Sequence, residues 1–136
     1  YDMVLGRTTY DIFAGHWPKA PKSALSDRLN AACKYVATSD PDSLKWENSH
    51  PITGNIAERF RSLKKQDGPL LQVHGSARLI QTLMAHELID EYRLWIFPII
   101  TGGGKRLFED GSTPSQLKLT RSEPSENGTM MQFYRT

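Results

Sequence analysis

Residues 70–86 run Leu70-Leu71-Gln72-Val73-His74-Gly75-Ser76-Ala77-Arg78-Leu79-Ile80-Gln81-Thr82-Leu83-Met84-Ala85-His86. The apolar run Leu70 to Val73 predicts a short strand, and Gly75-Ser76 a sharp turn. From Ala77 to His86, Leu79, Ile80, Leu83 and Met84 recur on one helical face. A strand that enters a helix with almost no loop is the unit from which parallel sheets are built.

A second unit of this kind opens the chain. Asp2-Met3-Val4-Leu5 reads as a strand stopped by Gly6, and Thr8 to Ala14 as a short helix carrying Tyr10, Phe13 and Ala14 inward. Gly15 to Pro21, with Trp17-Pro18, is expected as loop because proline lacks the helix donor. Ser23 to Ala32 reads as another helix, Lys34 to Thr38 as a strand, and Ser39 to Asp42 as a turn. The next fifteen residues are a polar loop holding Trp46; Trp46 and Trp17 could each stack on a planar ligand, though loop tryptophans more often plug core edges. Asn55 to Gln66 forms a helix, with Asn55 and Glu58 placed as a capping pair, and Gly68-Pro69 ends it. Tyr92 to Ile100 reads as a long strand buried on both faces, and Gly102 to Gly104 ends it. Alternation around Leu117–Thr120 and Met131–Arg135, with Asn127-Gly128 between, predicts a closing antiparallel hairpin. The fold class is therefore α/β, with a mixed, mostly parallel sheet flanked by helices.

Composition narrows the function. With 136 residues one domain is expected, spanning 1–136. Lys and Arg number 17 against 15 Asp and Glu, giving net charge +2, and the longest basic run is two residues, so no nucleic-acid surface is expected. Hydrophobic residues make up 38% and none of their runs approaches a membrane span, which leaves a cytoplasmic protein as the expectation. The lone Cys33 excludes an internal disulfide and reads as a small buried residue. The first residue is Tyr, not Met, so an upstream segment is expected.

In an α/β sheet, ligands sit beyond the carboxyl ends of strands, where strand-to-helix turns present unpaired N–H groups. The turn Gly6-Arg7-Thr8-Thr9 joins glycine, two hydroxyls and a guanidinium suited to phosphate. On composition alone an ordinary capped turn with a solvated arginine fits it better, since helix starts of this kind are common. The turn His74-Gly75-Ser76-Ala77-Arg78 repeats the pattern, and Arg78 opposes the helix dipole unless an anion lies between them. Gly102-Gly103-Gly104-Lys105-Arg106 is not a P-loop: Ile99 stands where a glycine is needed and Arg106 where Ser or Thr is. The four histidines show no metal spacing, and HGSAR at 74–78 is not a nucleophile elbow. Asn127-Gly128-Thr129 matches a glycosylation sequon but reads as the hairpin turn.

Four separated blocks carry a resemblance: Val4 to Asp11 followed by His16-Trp17-Pro18; Lys34 to Ser39; Val73 to Leu79; and Leu88 to Leu94 running on through Pro98 and Gly102 to Phe108. Together they resemble the dihydrofolate reductase-like family, most closely its branch related to the C-terminal reductase domain of bifunctional riboflavin-biosynthesis proteins. The resemblance implies a three-layer fold and an NADPH-dependent reductase acting on a small pteridine- or pyrimidine-like heterocycle, working as a homodimer. It implies that Gly6, Arg7, Thr8 and Thr9 hold cofactor phosphates, and that Thr38 and Ser39 flank the adenosine end. It implies that His74, Gly75, Ser76, Ala77 and Arg78 receive the pyrophosphate, and that Trp17, Pro98 and Gly102 line the substrate. It also implies a strand, loop and helix ahead of the first block, which the sequence before Tyr1 does not include; no catalytic acid and no metal is assigned. The competing expectations are a nucleotide-binding or regulatory module of the same fold without turnover, and a ligand-free dimerisation domain.

Overall fold

The computed structural model describes residues 1–136, which divide into two compact units, Tyr1–Thr82 and Leu83–Thr136. The first unit carries four parallel strands in the order β3-β2-β1-β4. These are β1 (Asp2–Gly6), β2 (Lys34–Ala37), β3 (Ser49–Ile52) and β4 (Leu71–Val73). Met3, Val4 and Leu5 are all buried, as expected for a parallel strand covered on both faces. Register places Val4 opposite Val73 of β4 and Gly6 opposite Ala37 of β2, so the carboxyl ends of these strands lie side by side.

Helices α1 (Arg7–His16), α2 (Ala24–Ala31) and α3 (Ile56–Lys64) belong to this unit, and α4 (Ala77–Ala85) contains its boundary. Ser23 and Ser26 cap α2 reciprocally, and the Asn55 side chain accepts from the Glu58 amide at the start of α3. The core joins Met3, Leu5, Tyr10, Leu29, Val36 and Trp46, with Phe13 and Trp17 packed against it. Trp46 thus plugs the core, as its loop position indicated.

The polar stretch after Asp42 departs from the expected loop. Ser49-His50-Pro51-Ile52 is the edge strand β3, and an edge tolerates Pro51 because its missing donor need not face a neighbour. The segment expected as loop from Gly15 is helical through His16 and then makes a single 3-10 turn over Trp17–Lys19, with Pro18 where its absent N–H is harmless. Cys33 is half-buried.

In the second unit β5 (Glu91–Ile96), β6 (Lys118–Pro124) and β7 (Met130–Arg135) form an antiparallel sheet in the order β5-β7-β6. The expected hairpin is present: Gly128 takes φ +82 and Ser125 N–H donates to Thr129 O at 2.8 Å. Within the turn the Asn127 side chain accepts from the Thr129 amide, which accounts for the sequon-like triplet as turn chemistry. The strand expected from Tyr92 to Ile100 instead ends at Ile96 and is an edge, and it is not buried on both faces. Trp95 is 64% exposed, Ile99 70% and Ile100 fully. Apolar composition signals a wish for cover, not the presence of it.

Candidate functional site

Both strand-to-helix bends read from sequence stand at the carboxyl ends of neighbouring strands, and hydrogen bonds stitch them together. Gly6 N–H donates to Ser76 Oγ at 2.8 Å, and Ser76 Oγ–H donates to His74 O at 2.8 Å. In return Ser76 N–H donates to Thr9 Oγ1 at 3.0 Å. Gly75 and Ser76 both adopt left-handed backbone, φ +52 and +60. For Ser76 that conformation costs on the order of 1–2 kcal/mol, offset by the two contacts its hydroxyl and amide make across the bends. Glycine is required at 75 on two counts: the positive φ, and a Cβ that would stand 3.3 Å from Thr9 Oγ1.

Arg7 opens α1 beside the end of β2. Its Nε–H points at both Asp11 carboxylate oxygens, at 2.9 and 3.0 Å, and its Nη1 donates to Thr38 Oγ1 and Ser43 Oγ. Thr38 and Ser43 in turn donate to Asp40 O, which closes the turn after β2 around the guanidinium. Thr8 and Ser39 are exposed beside it, and Arg78 in the first turn of α4, after β4, is exposed as well. Ala77 and Arg78 are first-turn residues, whose amides an α-helix leaves without intrahelical acceptors.

His74 contributes its main chain to the second bend, while its ring packs among aromatics, 5.7 Å from Tyr1 and 6.2 Å from Phe13 between centroids. Its Nε2 is buried without a hydrogen-bond partner, and burial holds its pKa below the ordinary histidine value. Trp17 stands edge-on to Phe13 at 6.3 Å, so it adjoins this aromatic group. Pro98 and Gly102 belong to the second unit, where Pro98 packs 3.5 Å from the Cβ position of Gly128 and Gly102 is exposed at φ +68.

A buried polar scaffold underlies the first bend, and sequence reasoning did not anticipate it. Lys34 is fully buried; its Nζ donates to Asn30 O at 2.6 Å and Glu47 O at 3.0 Å, and lies 4.1 Å from the Trp46 ring centre. Desolvation lowers its pKa to about 8. The Trp46 amide donates to Tyr10 Oη and its indole N–H to Asn30 Oδ1. These contacts fix the loop that delivers Thr38 and Ser43 to Arg7. Asp11 was detectable four residues beyond Arg7 on a helix, whereas nothing local marks Ser43 as a partner.

The donors left at this edge, the Nη2 side of Arg7, the threonine hydroxyls and the first-turn amides of α4, are chemically those that hold phosphate. The model of the RibD C-terminal domain family matches residues 2–131, and the chain belongs to that family. It is 29% identical over 136 residues to the uncharacterised protein YyaP of Bacillus subtilis strain 168, across 97% of this chain and 72% of that one. Among solved structures, a protein assigned provisionally to riboflavin biosynthesis in Shewanella sp. PV-4 superposes with TM-score 0.76 at 21% identity, covering 98% of this chain and 72% of that one. The diaminohydroxyphosphoribosylaminopyrimidine deaminase/5-amino-6-(5-phosphoribosylamino)uracil reductase of Thermotoga maritima does so with TM-score 0.63 at 17% identity, covering 98% and 44%. These likenesses show the shared fold, which is dihydrofolate reductase-like, in agreement with the sequence reading. No helix is long and apolar enough to cross a membrane.

Proposed function

We propose that this chain is an NADPH-dependent reductase that binds the cofactor across the bends after β1 and β4 and reduces a small planar heterocycle of the pyrimidine or pteridine kind. The observation that carries this reading is the stitching of the two bends through Ser76 and Thr9, which fixes two separate βα turns side by side so that their remaining donors share one edge. A dinucleotide needs such an edge, because its phosphates and adenosine span more than one turn can reach. In this reading Arg7, Thr8 and Thr9 hold phosphate beside Gly6, whose amide is engaged by Ser76. Thr38 and Ser39 flank the adenosine, and the amides of Gly75, Ala77 and Arg78 receive the pyrophosphate, positioned by His74 and Ser76, whose own amides bond Val4 O and Thr9 Oγ1. Trp17 offers a planar face to the substrate. The nicotinamide supplies the hydride when bound; the protein's task is to orient, to exclude water and to stabilise charge. That the Thermotoga protein of the same fold is named as a uracil reductase supports a pyrimidine substrate.

The experiment follows loss of NADPH absorbance with 5-amino-6-(5-phosphoribosylamino)uracil and with dihydrofolate, for wild type and Arg7→Ala. Oxidation with one of them is expected. Arg7→Ala is expected to weaken NADPH about tenfold or more and NADH far less, because a charge-assisted contact to the extra phosphate contributes about 1.5–3 kcal/mol. NADPH binding without oxidation of either compound contradicts turnover and favours a binding module.

A further inference from the structure

Arg7 carries five N–H donors, and the structure commits three of them. Nε–H goes to Asp11, at 2.9 and 3.0 Å from its two oxygens, and the Nη1 hydrogens go to Thr38 Oγ1 and Ser43 Oγ. The two hydroxyls spend their own protons on Asp40 O, at 3.3 and 2.8 Å. Only the Nη2 edge of the guanidinium therefore remains to meet a ligand. The ion pair itself calls for explanation. Arg7 is the first residue of α1 and Asp11 follows four residues later, so the cation faces the positive end of the helix and the pair runs in the less favourable direction. Both side chains are also open to solvent, 36% and 53% exposed, where such pairs add little stability. Helix stability does not account for the arrangement.

We propose that Asp11 is a specificity-determining residue: its carboxylate, seated on the Nε edge of Arg7, holds the guanidinium plane while offsetting its charge, and so limits the preference for a nucleotide bearing a 2′-phosphate over one with a free 2′-hydroxyl. The inference rests on the nucleotide reading of this site and adds what tunes it. A phosphomonoester on the Nη2 edge would share the guanidinium with Asp11 across roughly 8 Å, two hydrogen-bond lengths plus the width of the group. Across solvent with a dielectric constant of about 80, which suits two exposed groups, a dianion and a carboxylate at that separation repel enough to change affinity about three- to tenfold. A 2′-hydroxyl carries no charge and does not register the carboxylate.

The test measures dissociation constants of 2′,5′-ADP and 5′-AMP by calorimetry at low ionic strength, for wild type and Asp11→Asn. Asparagine keeps an acceptor for Nε–H and removes the charge. Asp11→Asn is expected to tighten 2′,5′-ADP about three- to tenfold, to leave 5′-AMP unchanged, and to lose most of that gain in high salt. A merely structural role would move both nucleotides together. If asparagine impairs folding, Asp11→Ser reads the same ratio. A ratio that stays constant or falls, with both nucleotides binding, overturns the inference alone. Failure of both to bind the wild-type protein overturns the nucleotide reading and this inference with it.

Discussion

Replacing Lys34 by alanine is expected to lower the free energy of unfolding by about 3 kcal/mol at neutral pH, the cost of emptying a fully buried site and abandoning two carbonyls. Lys34→Met refills the volume and should recover most of that loss, because the ammonium is itself costly to bury. The pH dependence separates the two contributions. The Lys34 pKa falls from its ordinary 10.5 to about 8 in the folded chain, so between these values the unfolded chain binds more protons. Stability from this group is thus fully present above about 10.5 and lost as pH falls through about 8. The deprotonated amine still has two hydrogens for the two carbonyls, Asn30 O and Glu47 O, that it contacts. Wild type should therefore gain on Lys34→Met between pH 8 and 10.5, by on the order of 3 kcal/mol in full. Denaturant melts of the pair across that range measure it. A difference that is flat with pH would mean that the ammonium is not desolvated as its burial indicates.

The second large effect concerns the bend after β4. Gly75→Val is expected to cost about 3 kcal/mol or more of stability. Left-handed backbone penalises a β-branched residue by at least 1–2 kcal/mol, and the new Cβ would meet Thr9 Oγ1 at 3.3 Å before the valine methyls are counted. Ser76→Ala removes only the bridging hydroxyl, leaving Gly6 N–H without its acceptor, and should cost about 1–3 kcal/mol. On the proposed function both variants weaken NADPH at least tenfold, since the two donor arrays no longer hold a common register. Thermal melts and calorimetric titration read the two effects separately. A Gly75→Val protein that melts with the wild type would mean that the bend rearranges freely.

Much of this was legible in the chain because the chemistry is local. Gly6 before Arg7-Thr8-Thr9 and Gly75-Ser76 before Ala77 announce strand-to-helix bends through glycine and hydroxyl placement alone. That the bends adjoin required the register of β1 on β4, which is a tertiary fact. β3 was missed since Ser49, His50 and Pro51 carry no strand signal; parallel pairing with β2 overrides their weak propensity. The run at Trp95–Ile100 misled in the opposite sense, because two-faced apolarity implies a covering layer that the three-stranded antiparallel sheet does not itself supply. Lys34 was unreadable for a related reason: its partners are main-chain carbonyls, which every residue possesses and no sequence advertises. Ser43 reaches Arg7 only because Lys34, Trp46 and Tyr10 fix the loop that carries it.

The most direct measurement is a titration of the isotope-labelled chain with NADPH, following backbone amide resonances. The amides of Gly6, Arg7 and Thr9 are expected to shift over the same concentration range as those of Gly75, Ser76, Ala77 and Arg78. Shifts confined to one bend, or to neither while NADPH binds elsewhere, would contradict a shared cradle.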